Sequence, residues 1–313
     1  MYPLKLQPLY DKTIWANDRL STMRGLKETG IGTSWEVSAH KTAKNVILNG
    51  EYAGQTLYDL IQANPRAMLG EKTESQLLRL AFLDAKEDLS IQVHPYDEYA
   101  HEHENDEGKT EAWYILAAEE GATLVAGTTN PDQSIIKDAV ASDHVEDYVR
   151  KVPVSAGDFI CIDAGMLHAL GKGILALEVG QNSNITYRFY DYHRKNKDGS
   201  ERELHIEKSF DVADFTLEAK KIVSGVCDHW QDQTKMLVDR REFSVLQADV
   251  ENSYTLHCDK QRFYCLSNVG KDCVIRYQGT EMRFAYTESI FIPAACEDVE
   301  IVGNTRVLIS YVK

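Results

Sequence analysis

Basic charge is scarce in this chain of 313 residues. Its 34 lysines and arginines face 49 aspartates and glutamates, for a net charge of -15. A nucleic-acid binder needs a dense basic surface to displace counterions, so that class is excluded. Anionic membrane surfaces are disfavoured for the same reason. A small anionic ligand is still admissible, provided a few basic residues converge locally. Long apolar runs are also lacking. None approaches the ~20 residues of a membrane span, and MYPLKLQPLYDKTIW has no apolar core of a secretory signal. The six cysteines, Cys161, Cys227, Cys258, Cys265, Cys273 and Cys296, form no CxxC pair. They are expected to be small buried hydrophobes in a reducing compartment, which makes the cytoplasm the expected address. No GxGxxG or other glycine-rich phosphate loop occurs.

What the chain does have is short strand signals. Runs rich in β-branched and aromatic residues occur at 45–50, 89–95, 112–117, 123–128, 159–163, 174–179 and 185–190, and again at 243–248, 262–269, 273–278, 289–294 and 306–312. Helical spacing predicts only three helices, over 56–69, 132–152 and 204–215. Many strands with few helices predict a mainly β barrel or sandwich rather than alternating βαβ units. A faint repeat links GDFICIDAGMLH (157–168) to TESIFIPAACED (287–298). Each is a turn, a short apolar strand and a small-residue corner, with His168 or Asp298 at the twelfth place. Two related β units follow from this, with the break expected near 215–230.

The stretch IQVHPYDEYAHEHENDEGKTEAWYIL (91–116) concentrates three histidines and many carboxylates. Strand alternation turns Gln92 and His94 to one face. From Tyr96 to Lys109 the sequence is polar and reads as a loop, so His101, Glu102, His103 and Glu107 are expected to be a solvated rim. Glu111 opens an aromatic-rich strand, where a carboxylate is rarely buried without a partner. Any one of His94, Glu111 and His168 alone is an ordinary polar residue at a strand end. Together they offer two imidazoles and a carboxylate from separate strands, with Gln92 as a fourth oxygen donor. That set suits one Zn²⁺ with an open position, and Fe²⁺ or Mn²⁺ nearly as well.

LSIQVHPYDEYA, GKTEAWYI, AGMLHALGKGILALEVGQNSNITYRFYDY and RELHIEK together resemble the type I mannose-6-phosphate isomerases in their shorter bacterial form. The resemblance spans nearly the whole chain, is strong over about 35–210 and is weak beyond 220. Gly157–His168 also resembles the second metal-binding motif of cupins, with Asp163 where proline is usual. The resemblance implies two jelly-roll cupin barrels: a catalytic, metal-binding unit with helical additions at 1–218 and a degenerate, metal-free unit at 219–313. It implies zinc on His94, Glu111 and His168, with Gln92 as fourth ligand in some members. Arg188 falls on the family's active-site arginine, Lys109 on an active-site lysine and Ser90 on a serine near the substrate phosphate. The chain departs from the family at Ala16 and Asn17, where Trp-Gly-Gly is usual, and at Thr33. It departs again at Ala81, where many relatives carry lysine. Arg79, two residues away on the same strand face, is placed to compensate.

Converting mannose 6-phosphate to fructose 6-phosphate moves a proton between C2 and C1 through a cis-enediol. A metal or Arg188 would hold the developing oxyanion. Lys109, with its pKa expected to be depressed by burial and the metal, or a metal-bound water would carry the proton. Ser90, Arg188, Lys86 and Asn184 are the candidate substrate contacts. The expected partner is a small sugar phosphate, with the protein a monomer or homodimer. Two other readings keep the fold: an isomerase of another, unphosphorylated sugar, and a sugar-binding cupin without catalysis.

Overall fold

The computed structural model describes residues 1–196, 198–225 and 232–313. Among them, the strands form a five-stranded sheet, two seven-stranded sheets, a four-stranded sheet and a two-stranded ribbon. Strand alternation stacks these sheets into layers. In the strand Glu111–Ala118, Ala112 and Tyr114 enter one apolar cluster, while Trp113 and Ile115 enter another. The second cluster also takes Leu124 and Ala126 from the five-stranded sheet, so it is the core between that sheet and the first seven-stranded sheet. The first cluster joins the backs of the two seven-stranded sheets through Phe82, Leu177, Val245, Phe291 and Leu308. A third fills the gap between the second seven-stranded sheet and the four-stranded one. Each fully buried side chain of this size stabilises the fold by about 1.5–3 kcal/mol.

The mainly β expectation holds, and the helices are shorter than their spacing implied. The predicted 56–69 helix is two helices, Leu57–Ala63 and Pro65–Leu69, because proline at the first position of the second cannot continue the first. The predicted 132–152 helix stops at Ala141. Asp143 takes a left-handed φ of 62°, and Val149–Pro153 runs on as a strand beside Thr123–Thr128. The third helix covers Ile206–Val212. It packs with Gln133–Ala141 on the outer face of the five-stranded sheet, through Val212 and Ile136.

The sheets do not part at residue 218/219. Leu4–Gln7 lies inside the second seven-stranded sheet, between Ser289–Ile292 and Val46–Ile47. Lys220–Val223 completes the first seven-stranded sheet beside Asp158–Ile162. Of the cysteines, Cys161, Cys265, Cys273 and Cys296 are buried free thiols and Cys258 is a half-buried one. Burial pushes Cys273 and Cys296 up to about 12, which leaves them inert. Cys227 lies outside the described residues. No helix of the described residues is long and apolar enough to cross a membrane.

Candidate metal centre

The two sheets of the N-terminal half meet at one end around His94, Glu111 and His168. All three are buried, and their ligand atoms lie within 4.8 Å of one another. No other group of three or more His, Cys, Asp or Glu residues among the described residues is placed to hold a metal. Register explains the convergence. His168 pairs with Gln92, and Gln92 with Arg188, so the three stand in one row across the five-stranded sheet. Val93 is buried on the outer face, which turns Gln92 and His94 inward. On the opposing sheet, Glu111 shares the inward face of Trp113 and Ile115.

Hydrogen bonds fix how the donors point. His94 Nδ1 donates to Ile185 O at 2.7 Å, and His168 Nδ1 donates to Met166 O at 2.8 Å. Both rings therefore turn Nε2 toward Glu111, at 3.4 and 3.5 Å from its two oxygens. Backbone carbonyls that lock imidazole tautomers in this way are the usual support of histidine ligands. His94 Nε2 and both Glu111 oxygens are buried without a well-aligned hydrogen bond, a cost that a cation between them removes. Burial, then the neighbouring His94, lowers His168 to about 3, so its ring is neutral and able to ligate. Gln92 Nε2 lies 3.3 Å from His168 Nε2. A half-turn of that amide presents its oxygen to the same point.

Lys109 is buried between two carboxylates, with Nζ 2.6 Å from Glu111 Oε2 and 2.7 Å from Glu178 Oε1. Burial pulls its pKa down, but Glu111 and Glu178 outweigh it and the net direction is up. With no ion in the site, these two carboxylates hold the ammonium charged. Burial likewise raises Glu111, and Lys109 and His94 overcome it, holding the carboxyl well below its usual range. Gly180 stands opposite Glu111 on the neighbouring strand. A Cβ there would lie 3.0 Å from the Glu111 Cβ and 3.4 Å from Lys109 Cε, so its bareness makes room for both. The segment is tied on both sides. Gly108 N donates to Asp97 Oδ1, Thr110 N to Gln181 Oε1, and Gln181 Nε2 to Asp97 Oδ1.

The other predicted residues divide. Arg188 reaches Glu203 O with Nη1 at 2.7 Å, while its Nε is buried without a partner. Burial, then Arg202, lowers its pKa. Ser90 is buried, two residues before Gln92 on the same face. Asn184 is exposed and accepts from Arg79 Nη1 at 2.9 Å. Lys86 stands apart: it is exposed beyond the Asp84 end of its strand, more than ~16 Å along the strand from Arg79. The His101–His103 run is helical, within Asp97–His103, rather than an irregular loop. Acidic residues start this helix and histidines end it, as the helix dipole favours, and His103 stacks on Tyr99 at 3.9 Å. His101 is exposed and pairs with Glu107 at 2.7 Å, on the rim. Asp298, at the equivalent place of the second repeat, pairs with His257 on the surface.

Sequence reasoning missed Glu178, Gly180, Gln181 and Asp97. Glu178 had a signal, since it is the lone charge in the fully buried strand ILALEVGQ. The others matter only through pairings that no local pattern shows.

Two family models match the chain: "Phosphomannose isomerase type I, catalytic domain" over residues 4–145, and "Mannose-6-phosphate isomerase, cupin domain" over 233–312. A mannose-6-phosphate isomerase of Streptococcus mutans is 41% identical over 213 residues, 67% of each chain. The ManA mannose-6-phosphate isomerase of Bacillus subtilis is 39% identical, again over 67% of each. A crystal structure of mannose 6-phosphate isomerase from Bacillus subtilis superposes with a TM-score of 0.88 at 30% identity, covering all of both chains.

Proposed function

The chain belongs to the type I phosphomannose isomerase family, and on that premise we propose that it interconverts mannose 6-phosphate and fructose 6-phosphate using one zinc ion. The observation that carries this is the buried convergence of His94, Glu111 and His168, with both imidazoles tied back through Nδ1 so that Nε2 faces the carboxylate. Gln92 completes the donor set, which suits Zn²⁺, with Fe²⁺ or Mn²⁺ as workable substitutes. When bound, the ion supplies Lewis-acid polarisation of the substrate carbonyl.

The chain's own residues do the rest. The reaction runs through a cis-enediol, so a proton leaves C2 and one arrives at C1. Lys109 and Glu178, 2.7 Å apart, form the proton-handling pair. The carboxylate takes the C2 proton and returns it to C1, while the ammonium gives a proton to O1 as the enediol forms and takes one back from O2 as the ketone forms. Trp113 Nε1 steadies Glu178 from 3.4 Å. Arg188 brings a second cation from the opposing sheet, and Ser90 and Asn184 offer hydrogen bonds to the substrate. Lys86 is dropped from this set because of its remote position. A cytoplasmic address fits the free thiols.

Metal analysis of the purified protein, alongside a coupled assay on mannose 6-phosphate, tests the proposal. The expected result is about one divalent ion per chain, with activity lost on chelation and restored by zinc. Turnover of free mannose, lyxose or ribose in place of the phosphorylated sugar would overturn the substrate assignment.

A further inference from the structure

We propose that Arg79 binds the phosphate dianion of the substrate, a proposal that rests on the sugar-phosphate reading above. Arg79 is 4% exposed. It sits on the inward face of the first seven-stranded sheet: Glu111 pairs with Gly180, and Gly180 pairs with Arg79. Two strand spacings put their backbones on the order of 10 Å apart. Gly180 adds no side chain to the row between them; Glu111 Cβ, Thr110 O and Lys109 Cε border the place a Cβ would take, at 3.0–3.4 Å. An open-chain hexose can lie along that row, with its reacting carbons at the metal centre and its terminal phosphate at the guanidinium.

The partners of Arg79 leave its charge unanswered. Nη1 donates to Ser183 O at 3.1 Å and to Asn184 Oδ1 at 2.9 Å, both neutral. The guanidinium carbon lies 3.7 Å from the centre of the Trp35 ring. Nε is buried with no hydrogen-bond partner. Glu178, Asp11 and Asp106 act on it from a distance, and burial outweighs them, lowering it to about 10. A buried arginine does not give up its proton, so an anionic ligand is what lowers the cost of keeping it there. The local balance agrees. Lys109 with Glu111 and Glu178 leaves one negative charge, so Arg79 and a divalent cation would bring the row to two positive charges, suited to a phosphate carrying close to two negative ones. Ala81, the next inward residue on the same strand, adds no competing side chain. The planar fork of arginine suits two phosphate oxygens at once.

Kinetics on mannose 6-phosphate and calorimetric titration with inorganic phosphate, on the zinc-loaded protein, R79K and R79M, test this. R79M is expected to raise KM and to weaken phosphate binding by about tenfold or more, with metal content retained and kcat changed less than about threefold. R79K, which keeps the charge and loses the fork, should fall between. Unchanged phosphate affinity in R79M, or a lowered melting temperature as its only effect, overturns the proposal. If R79M does not fold, unchanged phosphate affinity in R79K does the same. Should the parent protein bind phosphate through Arg79 yet fail to turn over mannose 6-phosphate, the isomerase reading fails and the anion site stands. Full activity on mannose 6-phosphate with phosphate binding indifferent to Arg79 is the reverse case.

Discussion

Two imidazoles with their Nδ1 atoms pinned to carbonyls differ in kind from two histidines that happen to be near each other. The pinning removes rotational freedom before any ion arrives, so the ligand geometry is preorganised. His168→Ala should therefore lose bound metal and activity together, with activity down more than about 100-fold, as metal analysis and the coupled assay on one preparation would show. Retained stoichiometric zinc would mean the ligand set is wrong. Arg188 makes the opposite prediction. It shares a row with His168 but is two strands away. Arg188→Ala should keep its metal and lose about 100-fold or more in turnover, the usual cost of removing a charge-stabilising donor. The convergence of His94, Glu111 and His168 was readable from sequence only as a set, and because the three fall on motifs that resemble the family's ligand motifs. The pairing of Lys109 with Glu178 was not, because Glu178 is distant along the chain and adjacent only through the sheet.

At the scale of elements, sequence pattern gave the strands of the site well and the segments between them poorly. The run 123–128 is a strand over its whole length. The polar stretch after His94 was expected to be loop, since its composition carries no apolar stripe, yet Asp97–His103 is helical. Terminal charges and one stacked pair suffice for two turns of helix, and neither registers as periodicity. The strand Ile174–Gln181 shows how an element can carry function through an absence. Gly180→Ala should fold, because the new Cβ meets its neighbours at 3.0–3.4 Å rather than closer. Glu111 and Lys109 must then shift by tenths of an ångström. Metal affinity or kcat should fall by roughly 10- to 100-fold, as for other changes that disturb a ligand's support. A metal-binding titration with melting curves separates this outcome from simple unfolding. Wild-type affinity would show that the row between Glu111 and Arg79 has slack.

Across the whole molecule, the halves are interlocked rather than joined end to end, and this was the feature least legible in the sequence. Composition marks a break near 215–230, but strand pairing is non-local. The first strand, Leu4–Gln7, inserts beside Phe291 in the far sheet. Arg306, in the C-terminal half, ties the halves through a buried polar link. It forks onto Asp249 at 2.5 and 2.9 Å, and its remaining nitrogen donates to Tyr114 Oη at 3.0 Å. Tyr114 belongs to the strand that opens with Glu111, so the candidate metal site and the C-terminal half meet on one strand. Removing the arginine leaves a carboxylate that is 3% exposed without its charge partner, held by the neutral amides of Gln247 and Gln233. Breaking one partner of such a pair costs about 3–5 kcal/mol, whereas replacing both by apolar residues costs far less. Arg306→Leu should therefore lower the denaturation midpoint sharply, and Arg306→Leu with Asp249→Leu should recover most of the loss. Because the sheets share strands, melting should remain a single transition in both variants. Two separate transitions would mean that the shared strands do not couple the halves.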